Sequence, residues 1–373
     1  MKRSSVKEFI ENLLHAANID INGNHPWDVR VHNEELYARV LANKELGVGE
    51  SYMEGWWDCD RLDLMFEKIF TAHLDEKIKN NFWVLLKLSL LKVFNPQTGK
   101  RVYEVGEKHY DLGNQLFQTM LDNRMNYSCA YWPQAKTLDE AQLAKLDLIC
   151  RKLYLKPGMK LLDIGCGWGS LAKFAAENYG VKVVGVTIAK EQYDYARESC
   201  AHLPVEIRLM DYRELHEKFD CIASVGMFEH VGFLNYPMYM AVVHRCLQEE
   251  GLFLLHCIGA NESLVATNPW FDKYIFPHGA LPSIAQIGKA SEKLLVMEDW
   301  HNFGIDYDKT LMAWHANFNA NRDKLNQQYD QRFCRMWNFY LLSSAASFRS
   351  RVLQLWQIVF SKTGIKTGYI ALR

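Results

Sequence analysis

Glu229 lies in VGMFEHVG (225–232), directly after the apolar run FDCIASVGM (219–227). A carboxylate delivered to the mouth of an apolar strand loses solvation unless something there engages its charge. Such an acid can hold a proton-bearing ligand, cap a helix starting near Asn235, or pair with its neighbour His230. A second titratable residue has a similar place. His256 interrupts GLFLLHCIG (251–259), either as a donor facing a ligand or as a histidine satisfied in the core. A third constellation is LLDIGCGWGS (161–170). There Gly165 permits a tight turn, Gly167 lets a ligand approach the backbone, and Asp163 precedes the turn. The chemistry on offer is proton handling by a carboxylate and an imidazole, beside a loop that cradles a small molecule.

The elements that must position these residues alternate between strand and helix signals. MKLLDIGC (159–166), VKVVGVTI (181–188), VEIRLMD (205–211), FDCIASVGM and GLFLLHCIG read as strands. SLAKFAAENY (170–179), KEQYDYARESCAHL (190–203) and NYPMYMAVVHRCLQ (235–248) read as the helices between them. Near-continuous apolar strands flanked by helices imply an α/β architecture, a parallel sheet covered on both faces. Ligands in such sheets bind beyond the carboxyl ends of the strands, and Glu229 and His256 belong to two of those ends. The glycine loop follows a strand and opens a helix, the context in which it is informative. A nicotinamide-binding dinucleotide fold is its competitor. Against it, Ser170 stands where GxGxxG wants Gly or Ala, and the second strand ends at Thr187 without an acid for a ribose hydroxyl. With Asp163 beside the turn, the loop suits an adenosyl-amino acid better than a pyrophosphate.

Composition bounds the rest. With 373 residues, 49% of them hydrophobic, the chain has ample material for one large or two modest domains. The formal net charge of −1 argues against nucleic acid as a partner. Nine cysteines, no two of them three apart, give no CxxC pair and no metal-ligand spacing, so buried thiols in a reducing cytoplasm are the expectation. The first residues, MKRSSVKEFIENLLHAAN, carry Glu8 and Glu11 where a signal peptide needs an apolar core, and read as an amphipathic helix. Residues 1–95 read as a helical N-terminal domain, 96–107 as a linker marked by NPQTGKR (95–101), and 108–373 as a second, larger domain.

DIGCGWG resembles the first motif of S-adenosylmethionine-dependent methyltransferases, and its surroundings resemble the cyclopropane fatty acid synthases and their mycolic acid relatives. The stretches that carry this are GESYMEGWWDCDRLD (49–63), HYDLGNQLF (109–117), YSCAYW (127–132), LLDIGCGWG (161–169), VVGVTIAKEQ (183–192), GMFEHVG (226–232), LLHCIG (254–259), KYIFPHGALPS (273–283) and DYDKTLMAW (306–314). They run in order along nearly the whole chain. The resemblance implies a Rossmann-like class I methyltransferase fold with a smaller helical N-terminal domain. It implies S-adenosyl-L-methionine as cofactor and, as substrate, a cis double bond in an unsaturated acyl chain of a membrane phospholipid. An alkene needs no deprotonation to attack a sulfonium methyl, but the resulting carbocation must lose a proton for a cyclopropane ring to close.

The resemblance further implies a bicarbonate ion as the base, with Cys129, Glu229, His256, Ile258 and Tyr307 at the matching positions. His256 and Tyr307 would donate to the anion, as would backbone N–H groups near Cys129 and Ile258, while Glu229 would accept its O–H. Cys129 also admits a thiolate reading, although covalent catalysis is unnecessary and close packing suits it better. The cofactor positions implied are Tyr127 and Ser128; Leu161, Leu162, Asp163, Ile164, Gly165, Cys166, Gly167, Trp168 and Gly169; Thr187, Ile188 and Gln192; Tyr212 and Arg213; and Gly226. Gln192 is the candidate for the ribose hydroxyls. The expected partners are a phospholipid membrane, touched transiently from the cytoplasmic side, and a second copy of the chain in a homodimer. IKNNFWVLLKLSLLKVF (78–94) would lie on an anionic surface through its lysines or serve as a core helix. DWHNFGIDYDKTLMAWHANF (299–318) would line the acyl slot or simply pack as an amphipathic helix. A lipid methyltransferase that does not close the ring is the alternative activity. An inactive cofactor- or lipid-binding module and a dehydrogenase are the rivals from other classes.

Overall fold

The computed structural model of the chain describes residues 3–74 and 114–373. The expected surface helix at 78–94, the expected linker at 96–107 and residues 109–113 of the HYDLGNQLF motif lie outside the described residues. Among the described residues, no helix is long and apolar enough to cross a membrane.

Seven strands make one sheet: β1 (Lys160–Ile164), β2 (Lys182–Thr187), β3 (Val205–Leu209), β4 (Phe219–Val225), β5 (Leu247–Ala260), β6 (Val296–Asn302) and β7 (Leu353–Ser361). Their spatial order is β3-β2-β1-β4-β5-β7-β6. The first five pair in parallel, and β6 runs antiparallel to β7. Side chains alternate between the faces, as the pleat requires. Leu162, Ile164, Ile222, Phe253 and Leu255 enter one apolar core, and Leu161, Val183, Cys221, Leu252 and Leu254 enter the other. The five strands read from the sequence are present. The antiparallel edge, β6 with β7, was not anticipated, and the residues from 299 that were read as one helical stretch divide between β6 and a helix, α6.

The helices that matter for the site are α1 (Leu138–Lys152), α2 (Ser170–Tyr179), α3 (Lys190–Ser199), α4 (Tyr236–Cys246), α5 (Ile284–Ser291) and α6 (Ile305–Ala320). Capping fixes where two of them begin. The Thr137 side chain accepts the Glu140 N–H at 3.2 Å while Glu140 reaches back to the Thr137 amide, and Ser283 and Gln286 repeat this at α5. Between β1 and α2 the chain turns through Gly165 at φ +80°, where a Cβ would lie 2.6 Å from the Met227 side chain. Only glycine fits there.

The chain divides into two compact units that are not each continuous in sequence. One comprises Asn95–Ala266, His278–Thr310 and Gln354–Arg373 and contains nearly all of the sheet. The other gathers Met1–Phe94 with Thr267–Pro277 and Leu311–Leu353, whereas the sequence divided the chain at a single linker. Within this second unit, helix α7 (Gln331–Arg349) packs against helices Glu35–Met53 and Leu62–Thr71. Charged groups from its three segments meet. Glu50 accepts from Lys273 at 2.7 Å, from the Tyr274 hydroxyl at 2.8 Å and from Arg39 at 2.9 Å. Asp63, buried, accepts from Arg61 at 2.8 Å and from Arg349 at 2.9 Å. The GESYMEGWWDCDRLD stretch is thus the junction of this unit.

Candidate active site

A cavity of about 170 Å³ opens beyond the carboxyl ends of β1 to β4, where ligands of parallel sheets bind. Its wall is formed by Tyr127 and Ser128, by residues 163–168, by Thr187, Ile188 and Gln192, by Tyr212 and Arg213, and by Gly226. The structure therefore brings together most of the residues assigned to a cofactor from the sequence. It does not bring Leu161, Leu162 or Gly169 to the wall. Leu161 and Leu162 point into the two cores on opposite faces of β1, and Gly169 lies against Ala196 of α3.

Polar groups in this cavity are held from behind. Asp163 is 2% exposed, and its Oδ2 has no hydrogen-bond partner among the described residues. Burial lifts its pKa to about 7, against the opposing field of Lys145. Lys145, from α1, is equally buried, and its pKa falls to about 8 through desolvation. Its ammonium donates to Asn126 Oδ1 at 3.1 Å and to Ser128 Oγ at 2.9 Å, while Gln142 one turn earlier donates to the Ser128 carbonyl at 2.9 Å. Sequence reasoning missed Lys145, Asn126 and Gln142. The signal was a lysine and a glutamine on the same face of α1 as Leu138, Ala141 and Leu146. Across the cavity, the Thr187 hydroxyl donates to Gln192 Oε1 at 3.1 Å, orienting the Gln192 amide N–H₂. Asp211, also missed, accepts the Arg213 N–H at 2.9 Å and pairs with the Arg213 guanidinium. An adenosyl-amino acid fits this set. Asp163 offers an unmatched acceptor to an amine, Gln192 can meet ribose hydroxyls, and nothing lies within 4 Å of where a Cβ of Gly167 would be.

Glu229, His256, Cys129, Ile258 and Tyr307 do not line that cavity, although Gly226, Met227 and His230 around Glu229 do. β4 ends at Val225, paired with His256, and the Gly226 N–H still reaches the His256 carbonyl at 2.9 Å. β5 continues to Ala260. The next N–H on the same edge of β5 belongs to Ile258, and Glu229 Oε1 accepts it at 2.6 Å. The carboxylate thus completes the ladder where β4 leaves it. Two of the rival readings of Glu229 fall away, and one backbone donor is taken. The Ile258 amide is engaged by Glu229 rather than open to an anion, and Glu229 neither caps the helix at Asn235, which lacks a side-chain cap, nor pairs with His230. The Glu229 backbone carbonyl accepts from Ala280 at 2.8 Å, and the Tyr236 hydroxyl donates to the Ala280 carbonyl at 3.0 Å. The HGALPS segment is thereby latched over the acid.

The second oxygen, Glu229 Oε2, is buried without a partner among the described residues, and burial raises this carboxyl to about pKa 7. His256 is 1% exposed, its Nε2 is likewise buried without a partner, and burial holds the ring well below the usual imidazole range. Its ring meets the edge of Phe303 at 5.9 Å. The Cys129 thiol, fully buried, is pushed well above its ordinary value and donates to the Ala130 carbonyl at 3.2 Å. A thiolate nucleophile is therefore disfavoured at this position. The segment around Cys129 is clamped by the first two turns of α6. Thr310 Oγ1 accepts from Ala130 N at 3.1 Å and Trp132 Nε1 at 2.9 Å and donates to the Asp306 carbonyl, and Asp306 accepts the Trp132 N–H at 2.9 Å. Tyr307 is buried in that same stretch of helix.

A family model described as mycolic acid cyclopropane synthetase matches residues 97–358. A cyclopropane-fatty-acyl-phospholipid synthase of Escherichia coli is 54% identical over 356 residues, covering 95% of this chain and 93% of the relative. A tuberculostearic acid methyltransferase of Mycobacterium tuberculosis is 32% identical, covering 90% of this chain and 83% of its own. Among solved structures, the cyclopropane synthase MmaA2 of Mycobacterium tuberculosis aligns with a TM-score of 0.67 at 30% identity, over 72% of this chain and 100% of that one. The mycolic acid cyclopropane synthase CmaA1, solved with SAH and CTAB, aligns with a TM-score of 0.65 at 33% identity, over 70% of this chain and 98% of that one. The sheet is that of the class I S-adenosylmethionine-dependent methyltransferases, as the glycine loop led us to expect. Because the family model spans the loop, the FEH turn and the whole sheet save its last residues, the chain belongs to the mycolic acid cyclopropane synthetase family.

Proposed function

We propose that this protein adds a methylene group across the cis double bond of an unsaturated acyl chain in a membrane phospholipid, closing a cyclopropane ring, with bicarbonate as the proton acceptor. The acyl-phospholipid substrate is supported by the 54% identical synthase of Escherichia coli. S-adenosylmethionine, when bound, supplies an electrophilic methyl on sulfonium sulfur. In this reading Asp163 receives its amine, Gln192 its ribose hydroxyls, and Gly165 to Gly167 allow its close approach, while Tyr127, Ser128, Tyr212, Arg213 and Gly226 complete the wall. Bicarbonate, when bound, supplies a small base that the protein's own side chains lack.

The observation that carries the proton-handling half is the pair of unpartnered, fully buried atoms, Glu229 Oε2 and His256 Nε2, one just past the end of β4 and the other level with it on β5. A structural role explains Glu229 Oε1 and leaves Oε2 unexplained. An anion with one O–H matches an acceptor and a donor together, and each buried group left unmatched costs about 1–3 kcal/mol. Cys129, Ile258 and Tyr307 are proposed to surround the same spot, Cys129 by packing and Tyr307 by its hydroxyl. Peripheral attachment to the cytoplasmic face of the membrane and a homodimer supported by residues 1–95 are also part of this reading.

The test is incubation of the protein with unsaturated phospholipid vesicles and labelled S-adenosylmethionine, with bicarbonate removed or added back. Cyclopropane lipid formed at a rate that depends on bicarbonate is expected. An unchanged rate without bicarbonate removes the anion from the reading. Labelled lipid that keeps a reducible double bond selects the second reading, methyl transfer without ring closure, which the tuberculostearic acid methyltransferase relative favours.

A further inference from the structure

Gln357 lies on β7, the neighbour of β5 in the sheet, and is fully buried. Its side-chain Nε2 is 3.2 Å from His256 Nδ1. An amide nitrogen only donates, so the contact is a hydrogen bond only when Nδ1 carries a lone pair. With the amide in this orientation, which leaves Gln357 Oε1 buried without a partner among the described residues, the single proton of a neutral imidazole resides on Nε2, the ring nitrogen that likewise has none. We propose that Gln357 is a positioning residue that fixes His256 in the Nε2–H tautomer, so that the imidazole presents a donor toward an anionic ligand.

The arrangement around the pair supports this. Gln357 is held in register with His301 across β7 and β6, and the His256 ring is braced by Phe303. Burial opposes a second proton on the ring, so His256 has two neutral forms to choose between, and its neighbour at Nδ1 makes the choice. With the other tautomer, Nε2 would meet an anion lone pair to lone pair. The consequence for an anion rests on the function proposed above, while the tautomer is a property of the chain alone.

Full-length protein labelled with ¹⁵N-histidine tests it by long-range ¹H–¹⁵N spectra of the imidazoles, with the His256 signals assigned by their loss in His256→Asn. In the unsubstituted protein, Nδ1 is expected to resonate as an unprotonated nitrogen and Nε2 as N–H. Gln357→Glu, recorded at alkaline pH where the new carboxyl is ionised, places an acceptor carboxylate at Nδ1 and is expected to reverse the two. It should also reduce kcat at least tenfold while the KM for vesicles and the affinity for S-adenosylmethionine stay within twofold. Gln357→Met, which removes the donor with little change of volume, should give mixed tautomers and an intermediate kcat. Nδ1 protonated in the unsubstituted protein overturns the proposal, and so does Gln357→Met with unchanged signals and unchanged kcat. If Gln357→Glu does not fold, the unsubstituted spectrum still decides. Loss of bicarbonate dependence with the expected tautomer would sink the proposed base and leave this inference standing.

Discussion

Glu229 carries two jobs on two oxygens. Oε1 closes the ladder at Ile258, a task an amide oxygen performs as well, whereas Oε2 is the atom left for chemistry. Glu229→Gln should therefore leave S-adenosylmethionine affinity by calorimetry nearly unchanged and cut turnover about a hundredfold, roughly 3 kcal/mol of barrier. An equal loss of both would make the residue structural. Its titration has a definite sign. The folded carboxyl is raised to about 7, so folding favours the protonated form. That stability is present below about pH 4, where the free group is also protonated, and is lost as pH rises through about 7. Denaturant melts at pH 5 and pH 8 should show the unsubstituted protein losing, relative to Glu229→Gln, on the order of 3 kcal/mol over that interval. The acid and His256 were legible in the sequence because a charge interrupting an apolar strand end is conspicuous. Lys145 and Gln357 were not. A lone lysine in a helix reads as a solvated side chain and a lone glutamine in a strand as an exposed edge, and only the packing of α1 and β7 makes them interior.

At the scale of elements, the five parallel strands were readable because each is buried on both faces and so nearly continuous in apolar residues. β6 escaped for the opposite reason. VMEDWHN is an edge strand, partly exposed along its length, and its antiparallel partner lies some fifty residues later, beyond any local pattern. The same element boundary explains the DYDKTLMAW stretch, where the start of α6 holds the YSCAYW segment through Asp306 and Thr310 rather than forming a uniform amphipathic stripe. Thr310→Val keeps the shape and removes the hydroxyl, leaving the Ala130 N–H and the Trp132 indole N–H without it. A loss of about 1–3 kcal/mol in chemical denaturation is expected. A change under 0.5 kcal/mol would mean the clamp is ornamental.

For the whole molecule, one compact unit is drawn from three stretches of chain. Sequence composition marks a linker but carries no sign that residues 267–277 and 311–353 return to the first ninety. Asp63, 1% exposed between Arg61 and Arg349, ties two of these stretches. Removing its charge takes a buried acceptor from Arg349, which keeps Glu67 at 3.2 Å, and from the half-exposed Arg61. In Asp63→Asn, hydrogen exchange should quicken in helices Leu62–Thr71 and Gln331–Arg349; unchanged protection there would refute the tie. This interleaving also sets a schedule for the nascent chain. The helix ending at Thr71 cannot find its partner until Gln331 and the residues after it have left the ribosome. At about 5–20 residues per second, that is a wait of roughly ten to fifty seconds. Through that interval helix Leu62–Thr71 lacks the helix it packs against, with Phe66 short of Phe339, so holdase chaperones should matter more for yield in vivo than the folded protein's stability would imply.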